Sequence, residues 1–565
     1  MKRAWWSSLL LLITAGYVFL QTAPAVREPA SIMPGGAQLY IEAPDFAGLL
    51  RDWDRSKAKA EWLESANFAV FSRSNLYTKL QDVYHQYGTA AGFVPSLRSV
   101  AEIAGGESAL ALYGIRNVEF LYVTRIADAS LAKSQLWAVR DKFQQRQAGG
   151  VTFYLRIDPA SQRTVAFSFT NGYLILATRD DLVAQSLELL AGRPNPSLAS
   201  DPWYRAAVSA AGHPGELRLV MNLESLVKSV YFRSYWVQRN ATVIRRYWAG
   251  VADLRRNAHA FTETRVFLRT PEAAQAAPAP ADGAVSAIAA LAPPDVGLYK
   301  AWRAVDPAAL AALIVEKLIC PQAQAARDER FAPMAVAEGV AGSEGDLETR
   351  IDEQPLPSGA GAADSVSALR SLTDKNAGHA VLLVQSSAAV GGTFVVTPSV
   401  IVLEAAQDWN ANQVRDALSA AAGQLWTTSG LGAGWMTDHS TRHVFDRVNG
   451  LGKLLVAVRQ RRLFLSNDPS LLMAVLDRTG SAAMPGALTY AAGFRHLQER
   501  PDYQRMMTAL DLSSPPFVGR GDTPAFFSGN VASLSQVLSQ IEDVRMAEED
   551  RDSATVETVE YRIAR

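Results

Sequence analysis

The sequence predicts an α+β protein of two tandem related domains, each an antiparallel sheet with helices packed on it, after an N-terminal hydrophobic helix. Three observations carry this prediction. The chain of 565 residues exceeds the size of one domain, an uncharged apolar stretch covers residues 4–20, and four short segments recur in order in both halves. With 48% hydrophobic and 20% charged residues, the composition is that of a folded protein.

The amino terminus carries Lys2 and Arg3, followed by an uncharged apolar stretch over residues 4–20. This order is typical of an export signal whose positive charges stay in the cytoplasm. At about 1.5 Å per residue the stretch nearly spans a hydrocarbon core of about 30 Å, which favours an uncleaved anchor. Residues 1–25 are therefore predicted to be a signal anchor or signal peptide. The protein would be a single-pass protein of the cytoplasmic membrane with its bulk in the periplasm, or secreted if the signal is cleaved.

Four short segments of the first half reappear in the same order in the second half. Each marks a strand or a helix start, through Pro/Gly turns, capping residues or polar–apolar alternation. One matching pair could arise by chance, whereas four pairs in the same order predict an internal duplication. The pairs are 33–40 (MPGGAQLY) with 292–299 (APPDVGLY), 174–182 (LILATRDDL) with 463–471 (LFLSNDPSL), 222–226 (NLESL) with 530–534 (NVASL), and 260–264 (AFTET) with 554–558 (ATVET).

The repeats and the composition between them predict the domain boundaries. The stretch 271–288 is rich in Ala and Pro and has little to bury, which is typical of a linker. The first α+β repeat domain is predicted to cover residues 31–270 and the second residues 289–565. Hairpin signals such as Asn171-Gly172 imply antiparallel strands, with helices packed on one face.

No motif predicts a catalytic, cofactor or metal site. The formal net charge of −1 provides no global field to attract nucleic acid. His439 and His443 have the four-residue spacing of a zinc site but stand in a loop-like stretch without the glutamate of that motif. No Gly-x-Ser-x-Gly segment marks a serine nucleophile. Cys320 ends an apolar run and is predicted to be a small buried hydrophobe.

The most unusual stretch is 227–257, where six aromatic residues interleave with seven bases and a single acid, Asp253. Helical spacing would place the aromatic rings beside the arginines, which suits the membrane headgroup zone or an anionic partner. The alternative is an ordinary helix that buries its aromatic face and leaves its arginines in solvent. The predicted membrane or partner surface consists of Tyr235, Trp236, Arg239, Arg245, Arg246 and Trp248.

The pattern resembles a family of bacterial membrane-anchored envelope proteins catalogued as domain of unknown function 3352. The resemblance rests on the N-terminal hydrophobic segment, the turn into Leu39-Tyr40, the strand at 173–178 (YLILAT) and the segment 197–204 (SLASDPWY). It covers most of the chain. The family brings no catalytic residues, so the resemblance implies an envelope location and no chemistry.

We therefore expect a membrane-anchored extracytoplasmic protein that acts without catalysis as an envelope binding or scaffolding component. Its expected partners are the membrane, through the N-terminal helix, and another envelope protein or an anionic lipid surface; neither a nucleic acid nor a cofactor is predicted. Two alternatives stay open. One is a hydrolase with a non-motif site between the two domains, and the other is a carrier of a lipid or other apolar ligand, which would show an unfilled pocket lined by Leu, Val and Phe on the concave side of a sheet.

Overall fold

The computed structural model of the protein describes residues 27–73, 75–228, 244–275, 283–319, 360–386, 397–426, 434–439, 442–449, 453–500 and 541–563. The chain divides into two compact units. Unit 1 comprises Met1–Asn257, Glu263–Ala277 and Asp552–Thr555, and unit 2 comprises Ala258–Thr262, Pro278–Arg551 and Val556–Arg565. The protein is α+β, as predicted, and every strand pairing with a described register is antiparallel.

The strands of unit 1 form one antiparallel sheet. Their order is β4-β5-β6-β7-β3-β2-β1-β8-β9, and β10 pairs with β9. The strands are β1 (Leu39–Ala43), β2 (Ser108–Gly114), β3 (Glu119–Arg125), β4 (Gln144–Ala148), β5 (Val151–Ile157), β6 (Thr164–Thr170), β7 (Tyr173–Ala177), β8 (Leu217–Met221), β9 (Tyr247–Arg256) and β10 (Ala260–Arg269).

Several helices of unit 1 begin at capping residues that satisfy free backbone N–H groups. Asp45 accepts a hydrogen bond from Gly48 N at the start of α2, and Ser56 accepts one from Lys59 N at the start of α3. The helices are α1 (Pro29–Ile32), α2 (Phe46–Arg55), α3 (Lys57–Glu64), α4 (Ala66–Phe71), α5 (Asn75–Ala91), α6 (Leu97–Ile103), α7 (Asp128–Leu131), α8 (Gln135–Ala138), α9 (Asp180–Leu190), α10 (Pro202–Ala210), α11 (Leu223–Lys228) and α12 (Pro271–Gln275).

One face of the unit 1 sheet is closed. On this face Tyr40, Ala111 and Val220 are 0% exposed. Helix α9 packs on β6 and β7, and α10 packs on β8 and β9. Residues 33–38, the predicted turn, lead into β1, and the predicted hairpin at Asn171-Gly172 joins β6 to β7.

The strands of unit 2 also form one antiparallel sheet. Their order is β14-β15-β16-β17-β13-β12-β11-β18-β19, and β20 pairs with β19. The strands are β11 (Leu298–Arg303), β12 (Ala380–Gln385), β13 (Ser399–Glu404), β14 (Trp435–Asp438), β15 (Phe445–Asn449), β16 (Lys453–Arg459), β17 (Arg462–Ser466), β18 (Leu488–Phe494), β19 (Ile541–Arg551) and β20 (Ala554–Ile563).

Both faces of the unit 2 sheet are packed. The neighbouring residues Leu382 and Leu383 of β12 point to opposite faces, and each belongs to its own buried cluster. One cluster is formed with α14, α15 and α16, and the other with α13 and α17. The helices are α13 (Ala284–Ala289), α14 (Pro307–Ile314), which continues as a π-helical turn (Val315–Ile319), α15 (Ala360–Asn376), α16 (Ala411–Trp426) and α17 (Pro469–Leu476).

Candidate functional site

The predicted membrane or partner surface is described only in part. Tyr235, Trp236 and Arg239 lie outside the described residues. Arg245 and Arg246 are exposed and precede β9, and Trp248 is partly buried near the start of that strand. The role of this surface stays a prediction.

The helical spacing expected over this stretch is wrong for Tyr247–Arg256, which is strand β9. Pairing with β8 explains the difference, because Val220 lies opposite Val251 and the backbone hydrogen bonds run between strands. A strand of this length places its ends about 30 Å apart. Arg246 and Arg256 therefore lie at opposite ends of the sheet instead of on one helix face.

The second face of the unit 1 sheet carries large apolar side chains that are only half-buried. Side chains alternate between the faces of a strand, and the burial of β1, β2 and β8 follows this alternation. We call the half-buried set the apolar patch. It consists of Leu39, Ile41, Leu110, Leu112, Leu219 and Met221.

The register of the three strands makes the patch continuous. Neighbouring strands lie about 4.8 Å apart, so each row of opposed side chains extends about 10 Å across the sheet. The side chains of both rows are only half-buried, whereas close core packing would bury them fully. The two rows are Leu112, Leu39 and Met221, then Leu110, Ile41 and Leu219.

The helices that follow β1 contact this face beside the patch. The ring of Phe46 at the start of α2 lies 6.2 Å from that of Tyr122, and the ring of Tyr87 in α5 lies 6.1 Å from that of Phe120. Both partners belong to β3, the strand next to the patch. No side chain of α2 or α3 is buried. Helix α2 therefore contacts the sheet without burying any of its side chains fully.

These helices also present apolar side chains to solvent. Trp53, Leu63 and Leu80 are 49%, 47% and 52% exposed. The ring of Trp62 packs against that of Phe68 at 6.1 Å, so part of the apolar surface of the helices is satisfied among themselves. Helices α2 and α3 thus contribute no buried side chain, in contrast to α9 on the other face of the sheet.

A cleft of about 530 Å³ lies beside α2, at one end of the sheet, and is lined by both acidic and basic residues. Arg256 donates hydrogen bonds to Glu216 and, at 2.8 Å, to Asp52 of α2. These two carboxylates, Glu216 first, raise the pKa of Arg256. The ion pairs hold the C-terminal part of α2 against the end of β9.

Two further charged residues of the cleft are not engaged in this ion-pair network. Asp45 Oδ1 accepts the Gly48 N–H at 2.9 Å and is exposed. Arg255 donates to the carbonyl oxygen of His213, and among the described residues it forms no ion pair. The cleft therefore presents one guanidinium and one carboxylate to solvent.

On the closed face of unit 1, a row of charged residues lies near the same end of the sheet as the cleft. Glu42, Arg218 and Asp253 lie opposite one another on β1, β8 and β9. Arg218 donates to both oxygens of Asp253 at 2.8 Å, and the two side chains are 3% and 5% exposed. Tyr40 donates to Glu42 Oε2 at 2.8 Å. Burial raises the pKa of Glu42, against the opposing effects of Tyr40 and Arg218.

Unit 2 has different residues at the positions that correspond to Glu42, Arg218 and Asp253 in its own strand order. Ala301, Ala491 and Ala547 form the cross-strand row of β11, β18 and β19. On the other face Lys300 is exposed and lies opposite Leu383, which is 5% exposed and packs in a buried cluster. Unit 2 thus has neither the charged row nor an uninterrupted apolar patch.

The described residues contain no group of three or more His, Cys, Asp and Glu side chains that could hold a metal ion. His443 Nε2 lies 2.7 Å from Asp477 Oδ1, while His439 is exposed. Cys320 lies outside the described residues. No described helix is long and apolar enough to cross a membrane, and residues 1–26 are outside that description.

Comparison with known proteins adds no family. No protein-family model matches the chain, and no curated protein matches it. Among solved structures, "Structure of crystal form IV of TP0453" is similar to part of the chain, with 12% identity and a TM-score of 0.26 over 44% of this chain and 83% of that one. Crystal form I of the same protein gives 12% identity and a TM-score of 0.25 over 44% and 81%. At these scores the likeness carries no functional meaning.

Proposed function

We propose that the protein is a membrane-tethered extracytoplasmic protein that binds the apolar chains of lipids without catalysing a reaction, and that it consists of two related α+β domains. The observation that carries the binding role is the apolar patch of unit 1. It is continuous over three strands, half-buried, and flanked by amphipathic helices with exposed apolar side chains. A soluble domain rarely leaves such a surface without a ligand.

The relatedness of the two domains is supported by register. If Tyr40 is matched with Tyr299, as the first repeat pair requires, the pairings can be followed across each sheet. In unit 1 the row of paired residues starts at Tyr40 on β1, continues through Ala111 and Leu121, and ends at Ala177 on β7. The corresponding row from Tyr299 ends on β17, at Ser466. The second repeat pair, found independently in the sequence, also aligns Ala177 with Ser466. The unit 2 row is Tyr299, Val384, Val400 and Ser466.

A shared hydrogen bond gives separate support. Thr178 Oγ1 accepts the N–H of Phe120 at 2.9 Å, and Asn467 Oδ1 accepts the N–H of Ser399 at 2.7 Å. Thr178 and Asn467 are matched in the repeat 174–182 with 463–471. Each closes the end of a central strand, which is a role that a duplicated framework would retain.

The tether is supported by the sequence of residues 1–25 alone. A lipid-binding protein held at the membrane meets its ligand at high local concentration. An acyl chain that buries eight methylenes against the patch gains about 6 kcal/mol at about 0.8 kcal/mol each, before the cost of immobilising the chain. The gain is sufficient for reversible binding.

The test is a substitution that introduces a charge into the patch. Ile41→Lys introduces the residue type that unit 2 carries at Lys300, so the strand position tolerates it. The matched control is Ile157→Lys, which changes an isoleucine of unit 1 that is 50% exposed and outside the patch. We expect the full chain to retain a radiolabelled long-chain fatty acid through gel filtration, and Ile41→Lys to reduce retention about tenfold, because a charge in an apolar site costs more than 1.4 kcal/mol. Equal retention by both variants would exclude the patch as the site.

The other roles expected from the sequence remain predictions. The surface around Arg245, Arg246 and Trp248 is proposed to contact another envelope protein, since it lies at the end of β9 opposite the cleft. A hydrolase site and membership of the domain of unknown function 3352 family rest on the sequence arguments given above.

A further inference from the structure

The point where the predicted tether joins unit 1 is fixed by Arg27. Its backbone N–H donates to Tyr173 Oη at 3.0 Å, and that hydroxyl donates to the Arg27 carbonyl at 2.9 Å. The Arg27 guanidinium donates to the Leu189 carbonyl at 2.8 Å. If the predicted membrane segment ends near Thr22, five residues can span at most about 17 Å. This part of unit 1 would therefore lie close to the membrane surface.

The cleft lies at the same end of the sheet as this attachment. Tyr173 begins β7 and pairs with Arg125 at the end of β3. Followed through β2, this end of the sheet contains the end of β1 at Ala43, the start of β8 and the end of β9. Those three strand ends border the cleft. The cleft and the Arg27 contact thus lie at the same end of the unit 1 sheet.

An apolar path leads from the cleft to the patch. Leu217 and Leu254 lie opposite each other on β8 and β9, next to the cleft, and both are half-buried. Alternation places Leu217 on the same face as Leu219, which belongs to the patch. From Leu254 to the level of Met221 the strand rises about 13 Å, the length of roughly ten methylenes.

The charges of the cleft suit a headgroup that carries both signs. Three carboxylates, of Asp45, Asp52 and Glu216, accompany the two guanidinium groups of Arg255 and Arg256. Arg256 is engaged by two of these carboxylates, whereas Arg255 is bound only to a carbonyl oxygen among the described residues. A purely anionic headgroup would meet a net negative site. A phosphate beside Arg255 and an ammonium beside the carboxylates would meet complementary charges.

We infer that the cleft binds the zwitterionic headgroup of a phospholipid taken from the membrane to which the chain is tethered. The phosphate lies on Arg255, the ammonium group lies beside Asp45, and an acyl chain passes Leu217 and Leu254 to the apolar patch. This inference rests on the proposed function, because the acyl chain occupies the same patch.

The experiment uses the full chain in mild detergent with an equal mixture of phosphatidylethanolamine and phosphatidylglycerol of identical acyl chains, and native mass spectrometry counts the retained lipids. We expect phosphatidylethanolamine to be preferred. Arg255→Gln should lower its retention about tenfold, the effect of losing one charge-assisted hydrogen bond. Fatty-acid retention should be unchanged, because the patch is intact.

The matched control is Arg125→Gln, which removes an arginine at the same end of the sheet but outside the cleft. It should leave the retention of both lipids unchanged. Wild-type retention of phosphatidylethanolamine by Arg255→Gln, or equal retention of the two lipids by the wild-type chain, would overturn the headgroup inference alone. Failure of the wild-type chain to retain the fatty acid would overturn the proposed function instead.

Discussion

The buried ion pair of unit 1 gives the most sharply quantified prediction. Asp253 accepts three hydrogen bonds, two from Arg218 at 2.8 Å and one from the Gly215 N–H at 3.0 Å. Asp253→Ala removes all three and leaves a guanidinium that is 3% exposed with the Gly212 carbonyl as its remaining described acceptor. An unpaired buried charge costs about 3–5 kcal/mol, so the free energy of unfolding of unit 1 should fall by that amount.

The double variant Arg218→Met/Asp253→Ala separates the charge effect from the packing effect. It removes both charges and leaves mainly the Gly215 N–H without its acceptor, at about 1–3 kcal/mol. We therefore expect the double variant to be more stable than Asp253→Ala. In unit 2, Ala491 and Ala547 face each other on β18 and β19, so an apolar pair is compatible with such a sheet.

Native-state hydrogen exchange of the full chain measures the effect locally, because peptides of β8 and β9 report unit 1 and peptides of β18 and β19 serve as an internal reference. Protection of the β8 amides should fall in Asp253→Ala and recover in part in the double variant. A double variant as unstable as the sum of the two single changes would refute the argument, since the loss would then come from packing.

Three further predictions concern single contacts. Because burial raises the pKa of Glu42, the folded protein keeps a proton on this carboxyl at pH values where the unfolded chain has lost it. Stability should therefore fall as the pH rises above the usual value of 4.5, and Glu42→Gln should lose this slope in urea unfolding; an unchanged slope would contradict the argument. Thr178→Val and Asn467→Leu each remove the acceptor of a strand-end N–H, so each should cost about 1–3 kcal/mol in its own unit by hydrogen exchange, and a loss in only one unit would argue against a shared framework. Arg256→Gln breaks exposed ion pairs worth about 0–1 kcal/mol and should leave the melting temperature nearly unchanged. It also releases Asp52 of α2, so fatty acid should dissociate faster. An unchanged dissociation rate would exclude α2 as a barrier.

The antiparallel α+β architecture could be predicted because its signals are local. The hairpin predicted at Asn171-Gly172 joins β6 to β7, and both residues have positive φ, 52° and 76°, as the tight turn requires. The strand ending at Ala177 and the helix after it also follow from adjacent residues. Asp468 caps α17, with Pro469 in its first turn, at the helix start that the repeat 463–471 marks in the sequence.

The apolar patch could not be predicted because burial is decided by distant segments. Alternation in β1 shows that Tyr40 and Ile41 point to opposite faces, but both are apolar enough for a core. Which face is closed depends on α9 and α10, more than a hundred residues later in the chain. The same alternation of side chains recurs in β2 and β8, but it does not show which face other segments cover.

The error at β9 has a similar cause. The aromatic and basic residues of 244–256 fit a helix as well as a strand, because their spacing lacks strict alternation. Pairing with β8 decides the outcome, through a register in which Asp253 lies opposite Arg218. Tertiary pairing therefore overrides the local preference.

The measurement that tests the central claim most directly is photo-crosslinking of the full chain in phospholipid vesicles with a fatty acid that carries a photoactivatable group near its methyl end. Mapping of the labelled residues by mass spectrometry should place the label on β1, β2 and β8, at Ile41, Leu110, Leu219 and their neighbours in the apolar patch. Unlabelled fatty acid in excess should suppress it. Labelling confined to unit 2, or spread evenly over both units, would contradict the account.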